Sequence, residues 1–187
     1  ATADAITMDG SGNVTFPANA TCSGTATGFG GGKLVNYSHT LKTDTFSASV
    51  GEGVVTGDAI SVSHTASSTN NKLLISYSVS VGTNAGLYAF SYLYIGGSVS
   101  TARGDANGSM SRITTAADAG SDHPHNQSFQ YIVQAASTNA TTYSVRFSHT
   151  NNGTNTIYLN RSNNTTDAAY IGRTASTIQV LEFEPNT

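Results

Sequence analysis

A two-residue alternation of apolar and polar side chains is the feature that most constrains how this sequence can fold. Apolar residues take every second position from Leu73 to Val81, with Leu74 and then serines between them, and similar patterns return in residues 129–133 and 142–150. Successive side chains of a strand point to opposite faces, so the alternation is typical of half-buried strands. No window of a dozen residues has the i, i+3, i+4, i+7 spacing of an amphipathic helix. The sequence therefore predicts an all-β chain.

Further segments carry weaker strand signals and are separated by turn residues. They are residues 34–41, 59–64, 111–115, 156–159 and 177–183. Pairs such as Asn70-Asn71, Gly104-Asp105 and Asn163-Asn164 mark connections, because Asn, Asp and Gly tolerate turn conformations. About eight to ten short strands with this spacing predict an antiparallel β-sandwich or jelly roll.

Two of the predicted strands are apolar on both faces. Residues 88–95 read YAFSYLYI, and residues 177–183 read TIQVLEF. One face of each strand in a single small sandwich should meet water, so these strands indicate a subunit interface or a deeply buried sheet. They predict a homo-oligomer. The interface candidates are Tyr88, Tyr92, Leu93 and Leu181.

The composition excludes several classes of partner. Charged residues make up 10% of the chain, against about 25% in typical soluble domains. The chain has only eight Lys and Arg residues and a formal charge of −3, so it offers no basic surface to nucleic acid. Apolar runs are too short for membrane insertion. Cys22 is the single cysteine, so no disulfide can form within the chain, which favours folding in a reducing cytosol.

Residues 1–32 differ in texture from the remainder of the chain. Two short apolar segments, residues 5–8 and 14–16, flank the turn sequence DGSGN, and the glycine-rich stretch GTATGFGGGK follows. So much glycine is typical of a flexible linker. We expect a stalk-like segment with a linker over residues 1–32 and a globular domain over residues 33–187.

Several segments, taken in order along the chain, resemble a family of bacteriophage fibre-tip domains. They are LVNYSHTLKTDTFSAS, AISVSHTASSTNNKLLISYSVSV, TTYSVRF, TIYLNRS and GRTASTIQVLEFEP. Members of that family tend to carry a KTDT-type opening, a T-V/I-Y-I/L-N-R segment and a closing R-T-A-S-T-I strand. The N-terminal AITMDGSGNVTFP is similar to segments that precede such tips along phage fibres. Residues 88–128 differ from the family pattern, so the resemblance implies no role for individual residues there.

The resemblance implies a trimeric structural or receptor-binding domain, similar in outline to tumour-necrosis-factor and complement C1q jelly rolls. It implies a virion location after synthesis in the host cytoplasm, a homotrimer, and contacts with other virion proteins through the N-terminal segment. A host-surface glycan or protein would be the further partner. Neither catalytic residues nor a cofactor comes with the family. A capsid-decorating or neck fibre without a receptor role, and a lectin-like or glycan-degrading domain, remain alternatives.

Catalytic patterns are hard to find in the chain. A glycoside hydrolase needs two carboxylates at a defined separation, and only Glu182 and Glu184 share a strand face. No G-x-S-x-G motif occurs, although serines and histidines are present. The sequence therefore predicts a protein that is not an enzyme.

The histidines raise the question of a metal site. His123-Pro124-His125 places two imidazoles one residue apart, and three copies around a trimer axis would supply six nitrogen ligands for a transition ion. An exposed polar loop without metal explains the same residues. His39 and His149 lie on the apolar faces of their strands, which predicts packed, hydrogen-bonded side chains.

Receptor contacts are expected in loops, because loop side chains can vary without disturbing a sheet. The longest irregular stretch is predicted at residues 96–128, and it supplies the first set of candidates: Arg103, Asp105, Asn107, Asp122, His123 and His125. The tract 160–173 supplies the second set, Arg161, Asn164 and Tyr170, which could hydrogen-bond to a sugar and stack on it. Its match to the family pattern indicates a structural connection instead.

Overall fold

The structure is a computed structural model that describes residues 7–8, 10–11, 14–15, 32–119, 121–150, 153–166 and 171–185. Thirteen strands and no helix occur in these residues, which confirms the predicted all-β class. The strands are β1 (Thr7–Met8), β2 (Val14–Thr15), β3 (Lys33–Lys42), β4 (Phe46–Gly51), β5 (Ile60–His64), β6 (Lys72–Thr83), β7 (Leu87–Ile95), β8 (Ser98–Val99), β9 (Thr115–Ala119), β10 (His125–Gln134), β11 (Thr141–His149), β12 (Thr154–Leu159) and β13 (Ser176–Glu184).

The first sheet is built around β6. β10 pairs along one edge of β6, from His125 opposite Val81 to Gln134 opposite Lys72. β13 and β12 follow one another along the other edge, where β13 pairs with residues 72–78 and β12 with residues 81–83. β3 extends the sheet beyond β13, and β4 extends it beyond β12. All of these pairs are antiparallel.

The second sheet is built around β11 and β7. β11 pairs with β5 on one side and with β7 on the other. The far edge of β7 holds β9 opposite residues 87–91 and the short β8 opposite residues 94–95. These pairs are also antiparallel. The two sheets therefore form a sandwich-like arrangement, as the turn spacing predicts.

The core lies between the inner faces of the two sheets. On β6 the alternation holds as predicted, because Leu73, Ile75, Tyr77, Val79 and Val81 are all buried. Residues of the second sheet such as Leu93 and Phe147 are fully buried against this layer. Full burial of a large aliphatic or aromatic side chain contributes about 1.5–3 kcal/mol, so this shared apolar layer is the main stabilising element of the sandwich.

Several predictions about residues 44–128 need correction. The strand expected at residues 111–115 is wrong, since these residues precede β9 and only Thr115 belongs to it. Residues 96–128 are not one irregular stretch, because β8, β9 and the start of β10 interrupt them. β4 was not predicted at all. Its sequence FSASVG has short side chains and a weak alternation, and pairing with β12 compensates for this.

The chain divides into two compact units, Ala1–Gly31 and Gly32–Pro185. In the first unit, β1 and β2 pair antiparallel, with Thr7 opposite Thr15 and Met8 opposite Val14. The sandwich is the second unit. The remainder of the expected stalk and linker, and Cys22, lie outside the described residues. Within the part of the chain that the structure describes, no helix is long and apolar enough to cross a bilayer.

Candidate functional site

The outer face of β3, β13, β6 and β10 is an exposed apolar surface, called the apolar face below. The strand register places Ile132, Leu74, Leu181 and Tyr37 side by side in one row across these four strands. The neighbouring row on one side adds Phe183 and Leu34, together with Lys72 and Gln134, and Leu41 lies two rows away on the other side. Ile132 and Tyr37 are 65% and 68% exposed. Among the described residues, four of the seven exposed large hydrophobic side chains lie on this face: Leu34, Tyr37, Leu41 and Ile132.

A polar band runs along one side of the apolar rows, between the row of Leu74 and Leu181 and the polar pair Ser80 and Asn126. It consists of the uncharged side chains Ser76, Ser78, Ser128, Gln130, Thr177 and Gln179, which line a groove of about 570 Å³. Gln179 Nε2 donates to Ser76 Oγ at 2.9 Å across β13 and β6. His39 lies opposite Gln179 at the end of this row and is exposed, so the expectation of a packed His39 is wrong. The face therefore joins apolar rows to a hydrogen-bonding strip along one side of them.

The outer face of the second sheet carries a row of aromatic side chains on β7. The Arg146 guanidinium lies 4.0 Å from the centre of the Tyr94 ring, and its Nε donates to Asp58 at 2.6 Å. Burial opposes ionisation of Asp58, but hydrogen bonds from Ser144 and Arg146 outweigh this effect and lower its pKa. The polar groups of Arg146, Asp58 and Ser144 on this surface thus find their partners within the chain.

The four interface candidates do not form one surface. Tyr88 is 60% exposed on the outer face of the second sheet. Tyr92 lies on the same face, where its hydroxyl is within 3.0 Å of Ser148 Oγ. Leu93 is fully buried in the core of its own chain, so its burial requires no second chain. Only Leu181 belongs to the apolar face of the first sheet. One side of the strand at residues 88–95 thus faces the core. Side chains on its other side, such as Tyr92, contact residues of the same chain.

The first set of loop candidates falls into two groups. Arg103, Asp105 and Asn107 lie in the connection from β8 to β9, where Arg112 Nε donates to Gly104 O at 2.8 Å. Asp122, His123 and His125 follow β9 at its other end. β9 therefore separates the two groups. Asp105 and Asn107 are exposed, as are all three residues of the second group.

The group after β9 meets the loop that follows β12. The backbone N–H groups of Asn163 and Asn164 donate to Ser121 O at 3.0 and 3.3 Å. Asp122 and His123 come directly after Ser121 in the chain. The structure thus brings part of the first candidate set next to the second set, a proximity that the sequence did not predict.

The second set of candidates is partly engaged within its own loop. The guanidinium of Arg161 lies 3.9 Å from the centre of the Tyr158 ring. Tyr158 in turn donates its hydroxyl hydrogen to Asn163 Oδ1 at 2.8 Å. Asn164 Oδ1 accepts the N–H of Thr166 at 3.0 Å. Tyr170 lies outside the described residues. These contacts fold the loop over the outer side of β12.

Asn160 anchors the start of the same loop. It is fully buried and has a positive φ of 63°, a conformation that Asn tolerates better than most residues. Its Nδ2 donates to Lys42 O at 2.8 Å and Asp44 O at 2.9 Å. Its Oδ1 accepts the Ser176 hydroxyl, which also accepts Ser80 N–H. One side chain thereby connects the chain after β3 with the start of β13, as expected of a structural connection.

A buried polar cluster joins the two sheets, and its assembly was not predicted. Glu182, on β13, accepts Ser67 N–H at 2.8 Å, Ser67 Oγ–H at 2.7 Å and Asn71 Nδ2–H at 2.6 Å. His64, at the end of β5, places Nε2 3.3 Å from Glu182 Oε2 and Nδ1 3.0 Å from Ser38 Oγ. A carboxylate at an inner strand position, after Ile178 and Val180, was the available signal, since a buried charge needs partners.

The order hydroxyl, imidazole, carboxylate in this cluster is that of a serine-hydrolase triad. Here, however, His64 and Glu182 are fully buried, and Ser67 and Asn71 saturate one carboxylate oxygen. Glu184, the expected partner of Glu182 in a carboxylate pair, is exposed at the strand end. We interpret the cluster as a clasp that holds β5 against β3 and β13.

The other histidines differ in their surroundings. His149 is buried, and its Nε2 lies 2.8 Å from Val50 O, which confirms the expectation of a packed, hydrogen-bonded side chain. His123 and His125 are exposed. Within the described residues of a single chain, no three His, Cys, Asp or Glu side chains cluster as metal ligands would.

Comparison with known proteins yields no assignment. No family model matches the chain. No curated protein matches it either.

Proposed function

We propose that this chain is a bacteriophage virion fibre protein with a jelly-roll tip that assembles as a homotrimer and binds a host-surface receptor or glycan. The observation that supports this best is the apolar face of the first sheet. A contiguous exposed apolar surface on a soluble domain is typical of an interaction site. The resemblance to fibre-tip domains supports the same function, and it rests on residues 34–49, 59–81, 141–147, 156–162 and 172–185. The proposal includes no catalytic residue and no cofactor.

The chemistry of the apolar face favours a second copy of this chain as its occupant. Of the described residues in its rows, Lys72 alone carries a fixed charge, and its Nζ donates to Gln134 Oε1 at 2.7 Å, so few like charges would meet between copies related by symmetry. Four strands about 4.8 Å apart and about eight residues rising 3.3 Å each give a flat area of roughly 500 Å². Stable interfaces bury about 800 Å² of accessible surface per partner, which is the same order of magnitude.

The N-terminal residues 1–32 fit a fibre stem in this proposal. Their glycine content and short apolar segments cannot form a core of their own. We propose that they contact neighbouring chains of the fibre and join the tip to other virion proteins.

Receptor contact is proposed for the loops that meet at Ser121. This region combines Asp122, His123 and His125 with Arg161 and Asn164. Its exposed imidazoles and carboxylate could hydrogen-bond to a glycan, and neighbouring Asn side chains add amide groups. Arg103, Asp105 and Asn107, before β9, form the second choice.

Alanine substitution of each group, measured as adsorption of the purified protein to host cells, tests this ranking. We expect the Asp122/His123/His125 set to reduce adsorption most and the Arg103/Asp105/Asn107 set to serve as the matched loop control. Melting temperatures of all variants should stay at the wild-type value. Loss of adsorption only from the Arg103/Asp105/Asn107 set would reverse the ranking.

Immunogold electron microscopy tests the virion assignment itself. Antibodies against the purified chain should label the distal end of the tail fibres on virions that carry the gene. Label on the capsid or neck would support a decorating fibre without a receptor role. Absence of label from intact virions would reject a virion function and favour a lectin-like or glycan-degrading domain.

A further inference from the structure

We propose that the polar band beside the apolar rows fixes the register in which the copies assemble. This inference rests on the proposed self-assembly through that face. It assigns a specificity role to Ser76, Ser78, Ser128, Gln130, Thr177 and Gln179, in addition to the apolar rows that supply most of the affinity.

The band occupies a defined place on the face. Register puts Gln130, Ser76 and Gln179 in one row, with the exposed His39 at its β3 end, and Ser128, Ser78 and Thr177 in the next. The row with Leu74 and Leu181 lies directly beside the first of these, and Leu41 lies at the β3 end of the second. A second copy that packs in one register therefore meets polar with polar and apolar with apolar. A shift by one row pairs the unlike groups.

The hydrogen-bonding groups of the band are only partly used within the chain. Ser76 Oγ accepts Gln179 Nε2–H, and Ser78 Oγ accepts Asn126 Nδ2–H at 2.8 Å. Ser128 and Gln130 are exposed and reach solvent. When a partner covers them, each group that stays unpaired costs about 1–3 kcal/mol. Covering the face is favourable only in arrangements that pair these groups.

Self-complementarity makes another copy the fitting partner. An amide carries both donors and an acceptor, and a hydroxyl both donates and accepts, so each can bond to its own counterpart. Uncharged groups of this kind need no partner of opposite charge. Buried polar side chains within apolar interfaces set register and copy number in coiled coils at some loss of stability. The polar band would set the register of a β-sheet interface in the same way.

Native mass spectrometry of the full chain at micromolar concentration tests the proposal. The double variant Gln130→Leu, Gln179→Leu removes both amides from the first row of the band and leaves Ser76 and His39 in place. We expect it to remain associated, with about a tenfold rise in the share of protein outside the wild-type mass, because shifted registers lose their penalty. The matched control Ser63→Leu, Thr142→Leu changes an exposed cross-strand pair on the second sheet and should keep the wild-type distribution.

A charged variant tests the same proposal independently if the leucine variant does not fold. Gln130→Glu would place carboxylates close together if the bands of different copies meet. We expect dissociation at neutral pH, because carboxylates of neighbouring copies repel one another. A single wild-type mass for both variants at neutral pH would overturn the role of the band while leaving self-assembly intact. A wild-type chain that is monomeric would instead overturn the proposed assembly, and this inference with it.

Discussion

His64 and Glu182 meet across the gap between the two sheets, with Nε2 of one 3.3 Å from Oε2 of the other and neither side chain exposed to water. His64 ends β5 of the second sheet, and Glu182 lies on β13 of the first. Because Ser67 and Asn71 also donate to the carboxylate, this contact organises the connection from β5 to β6 as well. The pair therefore fixes the sheets to one another where apolar packing alone would not define their position.

Replacing Glu182 by Leu should lower the free energy of unfolding by about 3 kcal/mol, because the buried Asn71 and His64 and the part-buried donors of Ser67 lose their acceptor. Urea unfolding at a fixed protein concentration measures the change. Glu184→Leu, two residues further along the same strand, is the matched control and should change stability by less than about 0.5 kcal/mol. Equal effects of the two substitutions would contradict the clasp.

Stability should decline in acid partly because of the same carboxylate. Burial alone would raise the pKa of Glu182, but hydrogen bonds from Asn71, Ser67 and His64 outweigh it and hold the pKa below the ordinary value of 4.5. A group with a lowered folded-state pKa stabilises the fold above its unfolded pKa, and this contribution is lost as pH falls through the folded value. Melting temperatures should therefore fall below about pH 4.5, and less steeply in Glu182→Gln. Parallel pH profiles for the two proteins would argue against this assignment.

Substitutions at Asn160 should separate backbone conformation from side-chain hydrogen bonds. Asn160→Gly keeps access to the positive φ but loses the bonds to Lys42 O, Asp44 O and Ser176, which should cost about 2 kcal/mol. Asn160→Ala should be about 1 kcal/mol less stable than Asn160→Gly, since the left-handed conformation is unfavourable for Ala. Guanidinium unfolding measures both, with exposed Asn139→Ala as control. Equal stability of the Gly and Ala variants would show that conformation contributes nothing here.

Gly82 allows the loop after β12 to cross the outer side of β6. A Cβ at this position would lie 2.6 Å from Arg161 O, closer than real contacts permit. Gly82→Ala should therefore displace the loop and lower stability by about 1–3 kcal/mol in thermal or denaturant unfolding. A Cβ on Gly57 meets nothing within 4 Å, so Gly57→Ala is the control and should be nearly neutral. A neutral Gly82→Ala would mean that the loop does not need this close approach.

The sandwich could be predicted because its signals are local. On β6 and β11, alternation alone identified the core side, and Val79, Val145 and Phe147 are buried accordingly. The positions of β4 and β9 could not be predicted, because FSASVG and TAADA have small side chains and gain their strand structure by pairing with β12 and β7.

The candidate site was less predictable because it depends on contacts distant in sequence. Glu182 and His64 are 118 residues apart, and Ser121 meets Asn163 only through the fold. The apolar face likewise becomes visible only when register aligns Ile132, Leu181 and Tyr37 from three strands. Alternation within residues 88–95 identified an apolar outer side but not that Tyr92 and Tyr94 would contact Ser148 and Arg146 of their own chain.

Sedimentation equilibrium of the wild-type chain at micromolar concentration tests the central claim most directly. We expect a mass about three times that of the 19.3 kDa chain. Leu181→Asp, which would bury a charge within the apolar face, should reduce it to the mass of one chain, whereas Met110→Asp, at an exposed hydrophobic position in the connection from β8 to β9, should leave it unchanged. A wild-type mass of one chain throughout this concentration range would contradict assembly through the apolar face.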